Sequence, residues 1–239
     1  MKISLGFSVA LLIAFLVGPT ALATAQSAEF AVSQHGHVVG TASFQIKPQA
    51  GGYDSTSTVS IQMQGLDYAL SKTEQLDQTY HLKHVLLSGT VNGSAANVIG
   101  KPEADQFLLN ISANGRSSTT RLDGHRGAVF LSDFDPGALE TLLALAAAQN
   151  NRDVWAIIPK QTGSVQPVQL ATYSDEQGTL DEKPIVVHHL VATIEGAPTE
   201  LFAGPEDQLL QAELSQQGFA LVRKGFVLTP PKRPIVPSE

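Results

Sequence analysis

Seven histidines are the first side chains to consider for metal or acid–base chemistry. His35 and His37 are two residues apart, so both would lie on one face of a strand, which is a chelating arrangement. Gly36 lies between them and indicates a hairpin turn instead, and no third ligand follows nearby. His188 and His189 are adjacent, so on a strand they would point to opposite faces. We therefore expect no metal site at either pair.

Carboxylates and nucleophiles give no stronger signal. Asp133 and Asp135 flank Phe134 and could offer oxygen ligands to a cation, but Asp135 also occupies the position of a helix N-cap. The chain has no cysteine, no Gly-x-Ser-x-Gly elbow, no phosphate-binding loop and no dinucleotide fingerprint. We expect no catalytic residue, no cofactor and no metal, and we do not expect an enzyme.

Arg223 is the charged residue with the most suggestive surroundings. It lies in the apolar segment 219–228, and in a continuous strand it shares a face with Phe219, Leu221 and Val227. An inward-pointing arginine can bind a carboxylate or phosphate of a ligand. An internal salt bridge and an edge charge that prevents aggregation are the alternatives, and the sequence leaves them open.

The elements that would position these side chains are mostly strands. Residues 38–46 and 53–63 alternate between apolar and polar side chains, which is the period of a half-buried strand. Asn92-Gly93 and Asn114-Gly115 are hairpin signals, and short strands at this spacing predict an antiparallel meander, sandwich or barrel. Six further strands are predicted in the second half of the chain, at 154–159, 165–173, 185–194, 199–203, 209–214 and 219–228.

One segment departs from this pattern. Asp135 can cap a helix, and Pro136 suits its first turn, so we expect a helix over 136–149. Its apolar stripe needs a partner, and a concave sheet would provide one. Four apolar residues repeat at helical spacing along this stripe: Leu139, Leu142, Leu143 and Ala146. The predicted fold is mainly β, a large curved antiparallel sheet (half-barrel or barrel-like) with one amphipathic helix packed on it.

The first residues predict an export signal. Lys2 precedes an apolar run, and Ala23-Thr24-Ala25 provides the small residues of a cleavage site after Ala25. An uncleaved anchor is the alternative, but the apolar run is shorter than the ~20 residues that span a bilayer. We expect a signal peptide at 1–25, a single β domain at 26–229 and a proline-rich flexible tail at 230–239. The expected location is the periplasm or the exterior of a bacterial cell.

The net charge of the chain limits the kinds of molecule that it is expected to bind. Removing residues 1–25 removes one lysine and no acid, so the formal net charge changes from −7 to −8. This acidity argues against nucleic acid as a partner. No second apolar segment of the chain is long enough to span a membrane after signal cleavage.

Four stretches of the chain resemble a known group of proteins. Gly36 to Phe44 reads Gly-His-Val-Val-Gly-Thr-Ala-Ser-Phe, and the runs 199–203, 209–213 and 219–226 follow later. Together they resemble uncharacterised exported bacterial β-sheet proteins, and the whole chain looks distantly similar to periplasmic lipoprotein-carrier half-barrels. The resemblance implies a curved sheet whose concave face is plugged or covered by the helix.

Such an architecture suits a hydrophobic or lipid-like ligand, which is the leading functional expectation. The candidate ligand-binding residues are Arg223, His189, Leu139, Leu142, Leu143, Ala146 and Trp155. The alternative is a structural or protein-interaction module of the cell envelope that uses a sheet edge or the tail. A carrier requires a sizeable apolar cavity beneath the helix, whereas an interaction module requires a filled core. An enzyme would require distant polar residues such as His189 and Arg223 to converge in one pocket.

Overall fold

A computed structural model describes residues 25–150 and 152–230. The predicted signal peptide, apart from Ala25, and the predicted tail beyond residue 230 lie outside the described residues. Eighteen strands, one α-helix and one 3₁₀ turn, Ser215–Gln217, make up the described chain. In chain order the strands and the helix are β1 (Gln26–Gln34), β2 (His37–Gln49), β3 (Gly52–Met63), β4 (Leu66–Asp77), β5 (Leu82–Val91), β6 (Ser94–Glu103), β7 (Gln106–Ala113), β8 (Arg116–Asp123), β9 (Ala128–Phe130), α1 (Pro136–Ala148), β10 (Trp155–Ile158), β11 (Ser164–Pro167), β12 (Gln169–Thr172), β13 (Glu176–Leu180), β14 (Lys183–Ile194), β15 (Ala197–Ala203), β16 (Leu209–Leu214), β17 (Phe219–Arg223) and β18 (Phe226–Leu228).

Fifteen strands form one open, curved antiparallel sheet, which confirms the predicted fold class. Its order is β18-β13-β14-β15-β16-β17-β1-β2-β3-β4-β5-β6-β7-β8, with β12 also paired to β14. β8 lies at one end of this order and β18 at the other, so the sheet does not close on itself. The pairing of β1 with β17 joins the front strands to the back strands, with Phe30 opposite Arg223.

Alternation along each strand sorts the side chains onto two faces. We call the face that carries Phe30, Phe44, Ile61 and Leu221 the inner face, because these side chains form the main core with the helix. The outer face of β2 and β3 carries hydroxyls instead, and Ser43 and Thr58 are hydrogen-bonded across it at 2.8 Å. This is the period-two pattern that the sequence predicts for half-buried strands.

The inner face is filled by two elements. The helix α1 packs against β2, β3 and β16, and its leucines join the main core. A second, three-stranded sheet of β11, β10 and β9 lies inside the first, where Phe130 and Ile157 pack with the inner residues of β5 to β7 in a second core. The opposite side of this small sheet contributes Val129 and Ala156 to the main core. Both faces of β9 and of the middle of β10 are therefore buried.

A third, smaller core lies on the outer face of the back strands. It consists of four buried side chains: Val187, Phe202, Leu210 and Phe226. β13 and β18 cover this cluster. β14 contributes a buried side chain from each of its faces, as its apolar sequence predicts. Val187 lies in the third core, and Ala192 lies in the main core.

Two predicted strands are each split in the structure. Segment 165–173 divides at Val168, because β11 pairs with β10 of the small sheet whereas β12 pairs with β14 of the large one. Segment 219–228 divides at Gly225, whose φ of +82° makes a turn, so Val227 does not continue the face of Arg223 and is 63% exposed. Sequence periodicity cannot detect such a break when apolar residues continue on both sides of it.

Glu176 begins β13 and pairs with Val187. In the described part of the chain, no helix has the length and apolar character needed to cross a membrane.

Candidate functional site

The helix α1 is held at its N-terminus as the sequence predicts. A carboxylate oxygen of Asp135 accepts a hydrogen bond from the backbone amide of Ala138 at 3.1 Å, and Pro136 is the first helical residue. The observed end at Ala148 is one residue short of the predicted 149. The helix is more deeply buried than an amphipathic stripe requires, because ten of its thirteen residues are buried and exposure begins only in the last turn.

Leu142, Leu143 and Ala146, three of the proposed ligand-binding residues, lie in the main core and are at most 3% exposed. The helix and the small sheet fill the inner face with the buried side chains of the two cores. Leu139 differs from the other three because it also lines a cleft that opens beside the helix.

A buried ion network joins the start of the helix to the sheet. The ammonium nitrogen Nζ of Lys72 lies 2.7 Å from Oδ2 of Asp135 and 2.9 Å from Oε2 of Glu74, and all three side chains are 1% exposed. The hydroxyls of Ser57 and Ser132 donate to Asp135 at 2.7 and 2.8 Å. A buried charge needs this density of partners, because an unpaired ion in the interior is strongly destabilising.

The network contains one cation and two carboxylates, and the pKa values of the two acids are shifted in opposite directions. Burial alone would raise the pKa of Asp135, but the charge of Lys72 and the three side-chain donors lower it below its ordinary value. Burial raises the pKa of Glu74, and Lys72 offsets this only in part. The pKa of Lys72 is raised, because its two carboxylate partners outweigh its desolvation, so this lysine is a cation and not a general base.

Glu140 is a second buried acid on the helix. Its carboxylate accepts a hydrogen bond from the backbone amide of Leu209 at 2.7 Å, which links the helix to the start of β16. Burial raises the pKa of Glu140 to about 7, although the Leu209 amide and the charge of Arg223 act to lower it. The group therefore changes its charge near neutral pH without direct exposure to solvent.

A cleft opens beside the N-terminal turn of the helix, between the loop that precedes α1, the end of β10 and the β14–β15 hairpin. Its volume is about 170 Å³. Lys160 and Asp133 form an exposed ion pair of 2.9 Å at its rim, and Glu195 is a further rim charge. The interior of the cleft is mostly apolar and is formed by Leu131, Phe134, Leu139, Ile158, Ile194, Ala197 and Leu214.

Arg223 lies on the inner face of β17, as its alternation with Leu221 predicts, and is partly buried. It is close enough to lower the pKa of Glu140. His189 lies on the outer face, stacked between Phe202 at 4.7 Å and Tyr173 at 5.1 Å. The sheet therefore separates His189 from Arg223, and the two do not form a common pocket.

Trp155, His188 and His189 also do not line the cleft. The indole of Trp155 stacks on the ring of His125 at 3.5 Å and donates to Asp153 at 2.8 Å. Nδ1 of His188 lies 2.9 Å from Asp175, and Nδ1 of His189 lies 3.3 Å from Glu176. Within residues 25–150 and 152–230, no group of three histidine or acidic side chains is arranged to hold a metal ion.

The sequence analysis missed Lys72, Glu74 and Ser57. A signal for them was present, because residues 68 to 76 alternate so that Lys72 and Glu74 share a face with Tyr68, Leu70 and Leu76. Two opposite charges on the apolar face of a strand indicate a buried pair. Their partner Asp135 could not be inferred, because it depends on where the helix meets the sheet.

Comparison of the chain with protein-family models, with curated proteins and with solved structures finds no match. The resemblance to lipoprotein-carrier half-barrels consequently stays a prediction, and the function must be argued from the geometry of this chain.

Proposed function

We propose that this protein binds an apolar, lipid-like molecule, and that it does so outside the cytoplasm after export. The cleft beside Leu139 is the observation that carries the binding proposal. The export signal predicted at 1–25 supports the location. β1 begins at Gln26, directly after the predicted cleavage site, so cleavage there would leave every element of the sheet intact.

The lining of the cleft decides the class of ligand. Its interior is built from aliphatic and aromatic side chains, which favour an apolar group by the hydrophobic effect. Its rim carries charges of both signs, Lys160 with Asp133 and Glu195, and these suit a polar head that stays in water. An amphiphile with its apolar end inserted and its head at the rim fits both features.

The size of the cleft limits how much of the ligand enters. Its volume of about 170 Å³ is below the ~300 Å³ that marks the lower end of ordinary small-molecule pockets. One apolar ring or the terminal part of an acyl chain fills it, and the rest of a longer chain stays at the surface.

A wider groove on the outer face, about 630 Å³, is a poorer candidate. The side chains that project from the strands into it are mainly hydroxyls and charges: Glu29, Thr41, Ser43, Thr58, Ser60 and Lys224. Such a surface is well hydrated and gains little from contact with an apolar chain.

Ligand capture tests this proposal directly. The chain from residue 26 onward, purified from a bacterial periplasm, is examined by native mass spectrometry, and whatever co-purifies is extracted with solvent. We expect a bound amphiphile at one per chain, or saturable uptake of an added fluorescent fatty acid. A clean mass of the protein alone, with no uptake of the fatty acid, would overturn the proposal.

A second candidate function is favoured by the filled core together with the open sheet edge at β8. Six of the eight residues of this terminal strand are exposed, and its outer edge is not paired within the large sheet. An extended segment of an envelope protein could add to such an edge through main-chain hydrogen bonds. Cross-linking from a cysteine placed at Ser118 on β8, in a chain with no native cysteine, would identify that partner. Only monomeric protein after cross-linking in the periplasm would contradict this candidate.

A further inference from the structure

A second cleft lies at the opposite end of the sheet from the one described above. It opens near the turns that join β4 to β5 and β6 to β7, whereas the first cleft opens at the β14–β15 turn. Its volume is about 150 Å³, which equals that of an apolar cavity able to hold one benzene molecule. The two sites share no lining residue, so the second is independent of the proposed function.

The floor of this second cleft is apolar and well fixed. Leu82, Phe107 and Ile157 line it, and these side chains are between 1% and 8% exposed and belong to the second core. An apolar body placed on this floor would be shielded from water on one side by a packed and rigid surface.

Three basic side chains lie at the rim of the second cleft, together with the neutral residues Pro102, Ala104 and Gln106. Arg126, His81 and His125 lie around it, and no acidic residue is among its lining residues. Arg126 is exposed and makes no salt bridge with another residue in the part of the chain that the structure describes. Its guanidinium is therefore available to form a paired hydrogen bond with a carboxylate.

Both rim histidines are held in place by neighbours. The ring of His125 stacks on Trp155 at 3.5 Å, nearly parallel at 12°. Nδ1 of His81 lies 2.8 Å from the hydroxyl of Thr79 and 3.2 Å from Asp77, so that side of the ring is occupied. Two positioned rings and a free guanidinium on an apolar floor form a binding arrangement for a compact organic anion.

We propose that this cleft binds a small organic carboxylate with an apolar body of about one ring, and that Arg126 binds its carboxylate. The apolar floor selects for the ring, and the guanidinium of Arg126 selects for the negative charge. Neither an inorganic anion nor a neutral ring satisfies both halves of the site.

Trp155 provides a built-in reporter for the test, because it is the only tryptophan of the chain and stacks directly on His125. Its emission is followed while benzoate is added to the intact mature protein, and benzyl alcohol, which has the same ring without the charge, serves as the matched ligand. We expect saturable change with benzoate and at least tenfold weaker binding of benzyl alcohol, since a hydrogen bond to a charged group contributes about that factor.

Variants separate this site from a nonspecific effect of benzoate. Arg126→Gln is expected to weaken benzoate binding by about tenfold or more, and Arg126→Lys to retain part of it, because lysine keeps the charge but not the paired geometry. Arg121→Gln, which removes an exposed arginine that does not line the cleft, is expected to bind as the natural chain does. Equal responses to benzoate and benzyl alcohol, or equal binding by the variants at 126 and 121, would overturn the proposal.

Discussion

Lys72 and Asp135 form a salt bridge of 2.7 Å in which each side chain is 1% exposed. Lys72 lies in the middle of β4, and Asp135 caps the only α-helix of the described chain. This contact fixes the start of the helix against the sheet, and the first cleft opens directly beside it. The position of the cleft thus depends on a pair of residues that are distant in sequence.

Replacement of Lys72 tests this dependence. Lys72→Met removes the cation and leaves Asp135 and Glu74 as buried carboxylates without it, so we expect a loss of about 3–5 kcal/mol in the free energy of unfolding. Urea denaturation measures this loss. Lys83→Met is the matched control, because Lys83 is exposed and only donates to the carbonyl of Gly51, and it should change stability by about 0.5 kcal/mol or less. Similar stabilities for the two variants would show that the network does not anchor the helix.

Glu140 predicts a particular dependence of stability on pH. Burial raises its pKa from an ordinary value of 4.5 to about 7, so the folded state holds this proton more tightly than the unfolded state. Its stabilising contribution is complete below 4.5 and is lost as the pH rises through about 7. The loss is on the order of 3 kcal/mol.

Glu140→Gln isolates this contribution, because glutamine keeps an acceptor for the amide of Leu209 but does not ionise. We expect the stability advantage of the variant over the natural chain to grow as the pH rises from below 4.5 to above 7. Chemical denaturation at several pH values measures the difference. A constant difference across this range would contradict the raised pKa.

Replacement of Leu142 tests whether the helix packs tightly in the main core. It is 1% exposed, and Leu142→Ala should cost about 2–5 kcal/mol because it leaves a cavity between the helix and the inner face. Leu86→Ala removes the same atoms from the outer face, where the side chain is 39% exposed, and should cost clearly less. Equal losses would mean that the helix packs loosely on the sheet.

The size of the first cleft predicts how affinity depends on chain length. In a series of straight-chain alcohols, each added methylene should strengthen binding about fourfold, equivalent to ~0.8 kcal/mol, until the cleft is filled. Longer members should then gain little, because further methylenes stay outside a volume of about 170 Å³. Competition with a bound fluorescent fatty acid gives these affinities. A steady gain through long chains would point to a larger site opened by movement of α1.

Local patterns in the sequence were sufficient to predict much of this fold. The alternation in residues 38–46 and 53–63 gave two strands and the correct inner face, and Asp135 with Pro136 gave the start of the helix. These features depend on neighbours a few residues away, which is the range that periodicity and capping describe.

Features that depend on distant pairing could not be predicted in this way. The pairing of Phe30 with Arg223 joins the two ends of the described chain, and no local pattern selects it. The small sheet of β9 to β11 was likewise missed, because segments 154–159 and 165–173 were predicted as strands but their pairing into a separate sheet with β9 depends on distant residues. The filling of the inner face by that small sheet was therefore beyond the reach of the sequence as well.

Fluorescent fatty-acid titration of two tryptophan variants tests the central proposal most directly. Thr199 on β15 lines the first cleft, whereas Thr193 lies on the opposite face of the same hairpin. Thr199→Trp should fill the cleft and weaken uptake of the fatty acid by at least tenfold, while Thr193→Trp should bind as the natural chain does. Equal binding by both variants would contradict the assignment of the apolar ligand to this cleft.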